Sequence, residues 1–247
     1  MSKKITVEIC VDSVESAIEA QAGGADRVEF CDNLIDGGTT PSLGAIEVAR
    51  KLLQIKLHVI IRPRGGDFLY SDIEFEIMKR DIEAVKRSGV DGVVFGILDS
   101  EGNIDSARTT ELVAISRPMS VTFHRAFDVS RDPFASLAEL KKLGVERLLT
   151  SGQQPTAEEG AGLISRLVTA AGTEIAIMGC GGLDEDNIAQ FVAASGVEEV
   201  HFTAFSEVES KMNFRNERIP MGGSAPVTEY LRLVTDPEKV RRTIARI

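Results

Sequence analysis

One five-residue pattern recurs four times along the chain and limits its fold more than any other feature. It consists of Gly, an apolar residue, an acid, any residue and a second apolar residue. Its copies are GADRV from Gly24, GVDGV from Gly89, GVERL from Gly144 and GVEEV from Gly196. In each copy a helical stretch ends at the Gly, which tolerates the left-handed backbone of a helix C-cap, and a short β-rich run begins. We therefore predict four alternate strands of one sheet, each following a helix.

Four further strand-like runs alternate with these copies, at residues 5–9, 57–61, 121–123 and 174–178. Eight strands that alternate with helices, without a break in composition, are typical of a (β/α)8 TIM barrel, and 247 residues suit one. A doubly wound open sheet is the main alternative, but the nearly even spacing of the repeat favours the barrel. We predict a single α/β domain over residues 1–247, with a long irregular loop at 206–235 between the eighth strand and the last helix.

Short signals at the helix starts agree with this count. Three residues precede a Glu by three positions, which is the spacing of a capping box: Asp12, Ser71 and Thr156. Three more stand directly before a Pro that would take the first helical position: Thr40, Asp132 and Asp236. We predict a helix N-terminus at each of these positions.

The composition excludes several classes of partner. A formal net charge of -10 argues against binding to nucleic acid or to an anionic membrane, since both favour a basic face. No apolar run approaches the ~18 residues of a membrane span, and the N-terminus lacks an apolar signal-peptide core. Three cysteines are too few for a disulfide framework, so we expect a reducing cytoplasm. The expected partners are small molecules, metal ions or further copies of the chain.

Side-chain alternation along the strands predicts which residues point into the barrel. The large apolar residues of the first two strands must pack under the helices, which turns the residues between them inward. Extended to the other strands, the alternation gives a polar set near the carboxyl ends, where such barrels place their active sites. The predicted inward polar residues are Glu8, Cys10, Glu29, Cys31, His58, Arg62, Arg64, Thr122, His124, Ser151, His201 and Thr203. This polarity does not suit a packed interior of Val, Ile and Leu, and it indicates a functional site.

Two pairs of these residues lie on adjacent strands. Adjacent strands are about 4.8 Å apart, so the sulfurs of Cys10 and Cys31 can come within range of one ion. Glu8 and Glu29 form the second pair, and two carboxylates in a desolvated interior need a cation, which Arg62 on the next strand can supply. From the residues alone, two plainer interpretations stay open: the cysteines as small buried hydrophobes and the charged residues as an internal ion-pair network.

Seven segments of the sequence resemble the CutC family, the copper homeostasis proteins: EICVDSVESA, GGADRVEFC, GGTTPSLG, IRPRGGDFLYSD, VTFHRAFD, LLTSG and MNFRN. The resemblance covers nearly the whole chain, and its RPRGGDF and TFHRAFD runs are highly specific. It implies a cytoplasmic (β/α)8 barrel that handles copper, with Cu(I) bound at Cys10 and Cys31, and a homo-oligomer. The chain departs from the family pattern at Cys180, within a run that is usually Gly, and at Thr203, where Ser is commoner. We therefore assign no metal role to Cys180.

Two functions follow from these residues, and the sequence leaves both open. In the first, the protein holds Cu(I) on Cys10 and Cys31, with His201 of the adjoining strand as a third ligand. In the second, it is an enzyme acting on a small anionic or phosphorylated substrate, with a lid formed by Lys211 and Arg215. The residues that would serve the enzyme are Glu8, Glu29 and His124 for acid–base chemistry, and Arg62, Arg64, Gly181 and Gly182 for binding the anion.

Overall fold

The computed structural model describes residues 4–219 and 229–247. Eight parallel strands form a closed barrel, in which each strand pairs with its neighbours in the chain and β1 pairs with β8. The strands are β1 Thr6–Val11, β2 Arg27–Phe30, β3 Lys56–Ile60, β4 Gly92–Phe95, β5 Ser120–Phe123, β6 Arg147–Thr150, β7 Ala176–Cys180 and β8 Glu199–Phe202. Closure of the sheet confirms the predicted TIM barrel and excludes the open sheet.

Within the described residues, eight helices surround the barrel. They are α1 Val14–Gly23, α2 Leu43–Leu52, α3 Asp72–Arg87, α4 Ser106–Ser116, α5 Pro133–Lys142, α6 Ala157–Ala171, α7 Ile188–Ser195 and α8 Pro237–Ile244. Two short 3-10 helices, Leu34–Asp36 and Arg125–Val129, follow β2 and β5. The glycines of the repeat stand at the ends of α1, α3, α5 and α7 with φ between 72° and 98°, so the pattern marks the helix ends as predicted.

The main apolar core lies between the strands and the helices. Ile9, Val28, Phe30 and Leu57 are at most 1% exposed and face the helical layer. Their neighbours along the strands must then face the barrel interior, as the alternation predicts. The described residues include no helix that is both long and apolar enough to span a bilayer.

Four of the predicted helix starts are confirmed and two are wrong. Ser71 and Glu74 form a reciprocal capping box, and Thr156, Asp132 and Asp236 cap their helices through their side chains. Asp12 and Thr40 do not cap a helix, because a serine nearer to the first helical residue takes that role. The hydroxyl of Ser13 accepts from Ser16 N, and that of Ser42 accepts from Ala45 N.

The segment predicted as an irregular loop at 206–235 contains regular structure. Strands β9 Phe205–Glu209 and β10 Leu231–Thr235 pair antiparallel, with Ser206 opposite Val234. Thr235 N donates to the Ser16 hydroxyl at 3.2 Å, which ties this sheet to α1. The prediction failed because the two strands are separated by more than twenty residues, too far for a hairpin signal in the sequence. Residues 220–228 of the segment lie outside the described residues.

Candidate functional site

Side chains that alternate with the core residues meet inside the barrel. Cys10, Cys31 and Ile60 form one small buried cluster near the carboxyl ends of β1, β2 and β3. Leu149, Met178 and Cys180 form another on the opposite side, and both clusters are separate from the main core. The predicted inward orientation of Cys10 and Cys31 is therefore confirmed.

The lower part of the interior holds a buried ion network. Arg27 donates to Glu8 and, at 2.7 Å, to Glu199, and Arg147 donates to the same Glu199 carboxylate at 2.5 Å. The sequence reasoning missed Arg27, Arg147 and Glu199, although all three have the inward phase of their strands. All three stand at the first residue of their strands, far from the carboxyl ends where a site is expected. Glu8 therefore has Arg27 as its counter-charge, and not Arg62 as predicted.

The two thiols lie together at the mouth of the barrel. The sulfurs of Cys10 and Cys31 are 3.8 Å apart, and both residues are buried. One carboxylate oxygen of Glu29 lies with the two sulfurs in a group whose atoms are all within 4.8 Å of one another. Glu8, Glu29 and His201 form a second such group beside the first. The third side chain grouped with the thiols is thus Glu29, whereas His201 was predicted there.

His201 bridges the two carboxylates. Its Nδ1 lies 2.8 Å from Glu8 Oε1, and its Nε2 lies 3.6 Å from Glu29 Oε2. Burial opposes ionisation of Glu8, but Arg27 and the His201 hydrogen bond outweigh it and hold the pKa of this carboxyl well below its usual value. Burial and the neighbouring Cys10 raise the pKa of Glu29 well above its usual value. Of the two carboxyl groups, Glu8 therefore ionises more readily and Glu29 holds its proton more strongly.

The two thiols differ in acidity because one donates to the other. A hydrogen bond from Cys31 and a second from His201 lower the pKa of Cys10 to about 6, although burial opposes this. The same bond to Cys10, together with burial, raises the pKa of Cys31 well above its usual value. His201 has a raised pKa because its bonds to Cys10 and Glu8 outweigh burial. At neutral pH the site therefore holds a thiolate at Cys10 beside a thiol at Cys31, and the same contacts favour the protonated form of His201.

The other two histidines are neutral. Burial lowers the pKa of His58 to about 3, and burial with the nearby Arg62 does the same for His124. His58 lies low in the barrel, 3.9 Å from Glu8, where the sequence already indicated a structural role. His124 accepts a hydrogen bond from Ala126 N through Nδ1 at 3.2 Å.

The arginines predicted as an anion clamp bind mainly to the protein itself, although the buried Nε of Arg62 has no hydrogen-bond partner among the described residues. Arg62 donates to the carbonyls of Asp36, Gly38 and Gly66 at 2.7–2.8 Å, so its guanidinium organises the loops after β2 and β3. Arg64 donates to Glu74 at 2.6 Å and lies over the Tyr70 ring, outside the interior. The inward phase predicted for Arg64 is wrong because β3 ends at Ile60, and strand alternation does not continue into a loop.

A cavity of about 320 Å³ opens beside the thiols. Its walls include Cys10, Glu29, Cys31, Leu34, Ile60, Arg62, Phe68, His124, Arg125, Asp128, Val129, Leu149 and His201. A smaller cavity of about 190 Å³ adjoins it at Gly181, Gly182 and Thr203, and both share Cys10, Arg125 and His201. Arg125 was missed because it begins the 3-10 helix after β5, where strand alternation does not predict which way a side chain points.

Neither of the two predicted lid residues lines either cavity in the described part of the chain. Arg215 donates to Glu209 at 3.1 Å and lies over the Tyr230 ring, within the segment that carries β9 and β10. Lys211 is exposed. A closing motion of this segment stays a prediction.

A closed parallel barrel with thiol, carboxylate and imidazole groups at the carboxyl ends of its strands defines a (β/α)8 barrel with a site at its usual place. The CutC family model matches residues 5–206, and this chain belongs to the CutC family. Family protein CutC of Bacteroides thetaiotaomicron is 51% identical over 247 residues, with 99% of each chain covered. The copper homeostasis protein cutC homolog of Homo sapiens is 51% identical over 95% of this chain and 86% of its own. A solved CutC structure from Streptococcus agalactiae is 36% identical with a TM-score of 0.77, covering 80% of this chain and 98% of that one.

Proposed function

We propose that this protein is a cytoplasmic copper homeostasis protein that binds Cu(I) through Cys10 and Cys31. The observation that carries the proposal is the approach of the two buried sulfurs to 3.8 Å at the mouth of the barrel. The human relative, whose name is that of a copper homeostasis protein, supports the same function. All three cysteines are free thiols, which fits a reducing compartment.

The donor set suits Cu(I). Soft thiolates select Cu(I), and Cys10 is already a thiolate at neutral pH. Glu29 offers a hard oxygen ligand, so it contributes little to binding a soft ion. For His201 to bind a metal its Nε2 would have to lose a proton, which the raised pKa of the ring opposes, whereas Nδ1 could keep its bond to Glu8. We therefore propose Cys10 and Cys31 as the ligands, with His201 holding Cys10 in place until the ion binds.

Replacement of both cysteines tests the metal site. We expect the Cys10→Ser, Cys31→Ser double variant to lose tight Cu(I) binding and to remain folded, because Ser is close to Cys in size. Titration against a competing chelator under reducing conditions measures the affinity. Cys180→Ser is the matched control, since Cys180 is equally buried but belongs to the other interior cluster. Cu(I) binding by the double variant as tight as that of the parent would rule the thiol site out.

Cu(I) affinity should also fall in acid. Binding releases the proton of Cys31 at neutral pH, and below pH about 6 the ion must displace the proton of Cys10 as well. Each such proton weakens binding about tenfold per pH unit. The same chelator titration between pH 5 and pH 7.5 measures this slope. An affinity that does not change over that range would contradict thiolate ligation.

A second candidate function is catalysis on a small anionic substrate in the adjoining cavity. The observation that favours it is the arrangement around His201: its ring contacts both Glu29, which lines the cavity and has a raised pKa, and the fully buried Glu8, which has a lowered pKa. Carboxyl groups with pKa values moved apart are a common arrangement for general acid–base catalysis. His124 was predicted as an acid–base group, but its pKa of about 3 leaves it neutral, so Glu29 and His201 take that role here.

Isotope exchange tests this second function. The metal-free protein, incubated in D2O with small organic acids and sugar phosphates, should exchange or convert a substrate proton, read by proton NMR. Glu29→Gln should lose this activity because the amide cannot carry the proton. Glu101→Gln is the control, since Glu101 is an exposed residue paired with Arg131. No exchange by the parent protein, or equal exchange by both variants, would exclude acid–base catalysis by Glu29.

A further inference from the structure

One guanidinium at the mouth of the cavity has an edge that no described protein group uses. Arg125 donates from Nε to Asp128 and from Nη2 to the Ser151 hydroxyl, each at 2.8 Å. Its Nη1 makes no hydrogen bond with any residue that the structure describes, and the side chain is 46% exposed. Arg125 contacts both the larger and the smaller cavity. The free edge is therefore available to a ligand in either space.

The position of Arg125 is fixed by a carboxylate that is itself held rigidly. Asp128 accepts from the hydroxyl of Thr150 at 2.5 Å and from the backbone N–H of Ser151 at 3.0 Å. It also accepts from Gln153 N at 3.2 Å. Because these donors hold its carboxylate in place, Asp128 orients the guanidinium through Nε and leaves Nη1 for another partner. The result is a preorganised cation at the rim.

A second donor in the cavity wall lacks a partner. His124 Nδ1 accepts from the backbone N–H of Ala126, so the neutral ring carries its proton on Nε2. This buried Nε2 makes no hydrogen bond within the described chain. Buried donors are usually satisfied, and an unmade bond on a residue that lines a cavity points to an acceptor supplied by a ligand.

The remaining walls show what kind of molecule fits between these groups. Leu34, Ile60, Phe68, Val129 and Leu149 give the cavity an apolar surface suited to a short carbon skeleton. Glu29 and His201 lie at its inner end, next to the thiols. A ligand would need an anionic group at the rim and a polar oxygen further in.

We infer that this cavity binds a small organic carboxylate with a neighbouring oxo or hydroxy group, its carboxylate on Arg125 and its second oxygen on His124. The inference rests on the second candidate function and names its substrate class, and it is independent of Cu(I). The skeleton lies against the apolar wall, and the substituted carbon is directed toward Glu29 and His201.

The charge around the cavity favours a carboxylate over a phosphate. In many barrels phosphate binds at the loop after the seventh strand, where Gly181 and Gly182 were predicted to bind an anion. In this chain the groove beside Gly182 is lined by three acids, Asp184, Glu185 and Asp186, and by one base, Lys239. These acids would repel a phosphate dianion. The single free edge of Arg125 suits a carboxylate monoanion.

Binding measurements on the metal-free protein test the inference. The probes are pyruvate, 2-oxobutyrate, malate and 2-oxoglutarate, with butyrate and inorganic phosphate for comparison. Calorimetry and ligand-observed NMR measure the affinity of each probe. At least one oxo or hydroxy acid should bind more tightly than butyrate and phosphate. Arg125→Gln should weaken that binding at least tenfold, whereas Arg131→Gln, an exposed arginine paired with Glu101, should leave it unchanged. His124→Asn keeps an acceptor for Ala126 N but removes the Nε2 donor. It should therefore reduce the ratio between the affinity for the oxo or hydroxy acid and the affinity for butyrate.

Ser151→Ala provides a second variant that leaves the guanidinium in place but removes one of its two anchors, and it should weaken binding by a smaller factor. Melting temperatures show whether each variant is folded. Tighter binding of phosphate than of every carboxylate, no binding of any probe, or equal affinities for Arg125→Gln and Arg131→Gln would overturn the inference. Binding of a carboxylate without proton exchange would contradict only the catalytic proposal. The Cu(I) titration tests the metal site and does not bear on this inference.

Discussion

At the scale of single residues, the acidity of the two neighbouring thiols decides how the site reacts. Cys10 and Cys31 are chemically identical and equally enclosed, yet the hydrogen bond between them lowers one pKa and raises the other. His201 adds to the asymmetry because it bonds to Cys10. Cys10 is therefore the ionised, and hence the more nucleophilic, of the two sulfurs at neutral pH.

Thiolate absorbance near 240 nm provides a direct test of this assignment. The metal-free parent protein should gain one thiolate with a midpoint near pH 6, and Cys10→Ser should abolish that step. Cys31→Ser replaces a thiol donor, so it should shift the midpoint, and Cys180→Ser should leave it in place. A step that persists in Cys10→Ser would assign the acidic thiol to another residue.

At the scale of elements, the approach of α6 to the end of β6 is closest at Gly160. A Cβ atom on Gly160 would lie 1.8 Å from the carbonyl oxygen of Ser151, so the helix can reach this position only without a side chain. The contact holds the loop that carries Ser151, which in turn bonds to Arg125. Packing of this helix thus determines where the rim guanidinium stands.

Two glycines of the same helix make a matched test. Gly160→Ala should destabilise the protein by about 1–3 kcal/mol or more. This range is the usual cost of overpacking, and the opposing backbone atoms cannot easily move away. Gly162→Ala, which meets nothing within 4 Å, should stabilise it by about 0.5–1 kcal/mol through helix propensity. Urea unfolding measures both. Equal effects of the two substitutions would mean that α6 lies further from β6 than described.

At the scale of the whole molecule, buried neutral histidines couple stability to pH. His58 and His124 keep pKa values of about 3 in the folded chain, whereas an unfolded His titrates near 6.5. Between these values the unfolded state binds protons that the folded state does not. The free energy of unfolding therefore falls as the pH drops from about 6.5 toward 3.

His58→Gln should remove part of this acid sensitivity. Each neutral histidine contributes a slope of about 1.4 kcal/mol per pH unit within the window, and the variant should lose one such contribution. Urea unfolding of both proteins between pH 4.5 and pH 6 measures the difference in slope, whatever the variant does to stability at neutral pH. Parallel curves would show that His58 is protonated in the folded state.

Self-association is also a prediction about the whole molecule. Several large apolar side chains remain more than half exposed, including Ile35 at 80%, Ile73 at 76% and Phe214 at 77%. Burying such side chains between copies would be favourable. Multi-angle light scattering at micromolar concentration should give more than the mass of one chain. A single-chain mass would contradict the expected homo-oligomer.

The regular strands are where sequence reasoning located the site well. Cys10 and Cys31 end neighbouring strands with the same phase, so alternation alone brought their sulfurs together. The same rule failed at Arg64 and gave nothing for Arg125, because both lie beyond their strands, Arg64 in a loop and Arg125 in a 3-10 helix, where strand alternation does not apply. The repeat found the helix ends, but the pairing of β9 with β10 joins segments too distant for local signals.

The sequence by itself determined the eight-fold alternation, the strand phases and membership of the CutC family, because these follow from local periodicity and from similarity along the chain. The tertiary structure decided the partners and the protonation states. His201 meets Glu8 across 193 positions only because β8 closes the barrel against β1. Burial and such long-range contacts set the pKa values that make Cys10 a thiolate, Glu29 an acid and His124 an unpaired donor. A sequence pattern shows neither the closure of the barrel between β8 and β1 nor the burial of these side chains away from water.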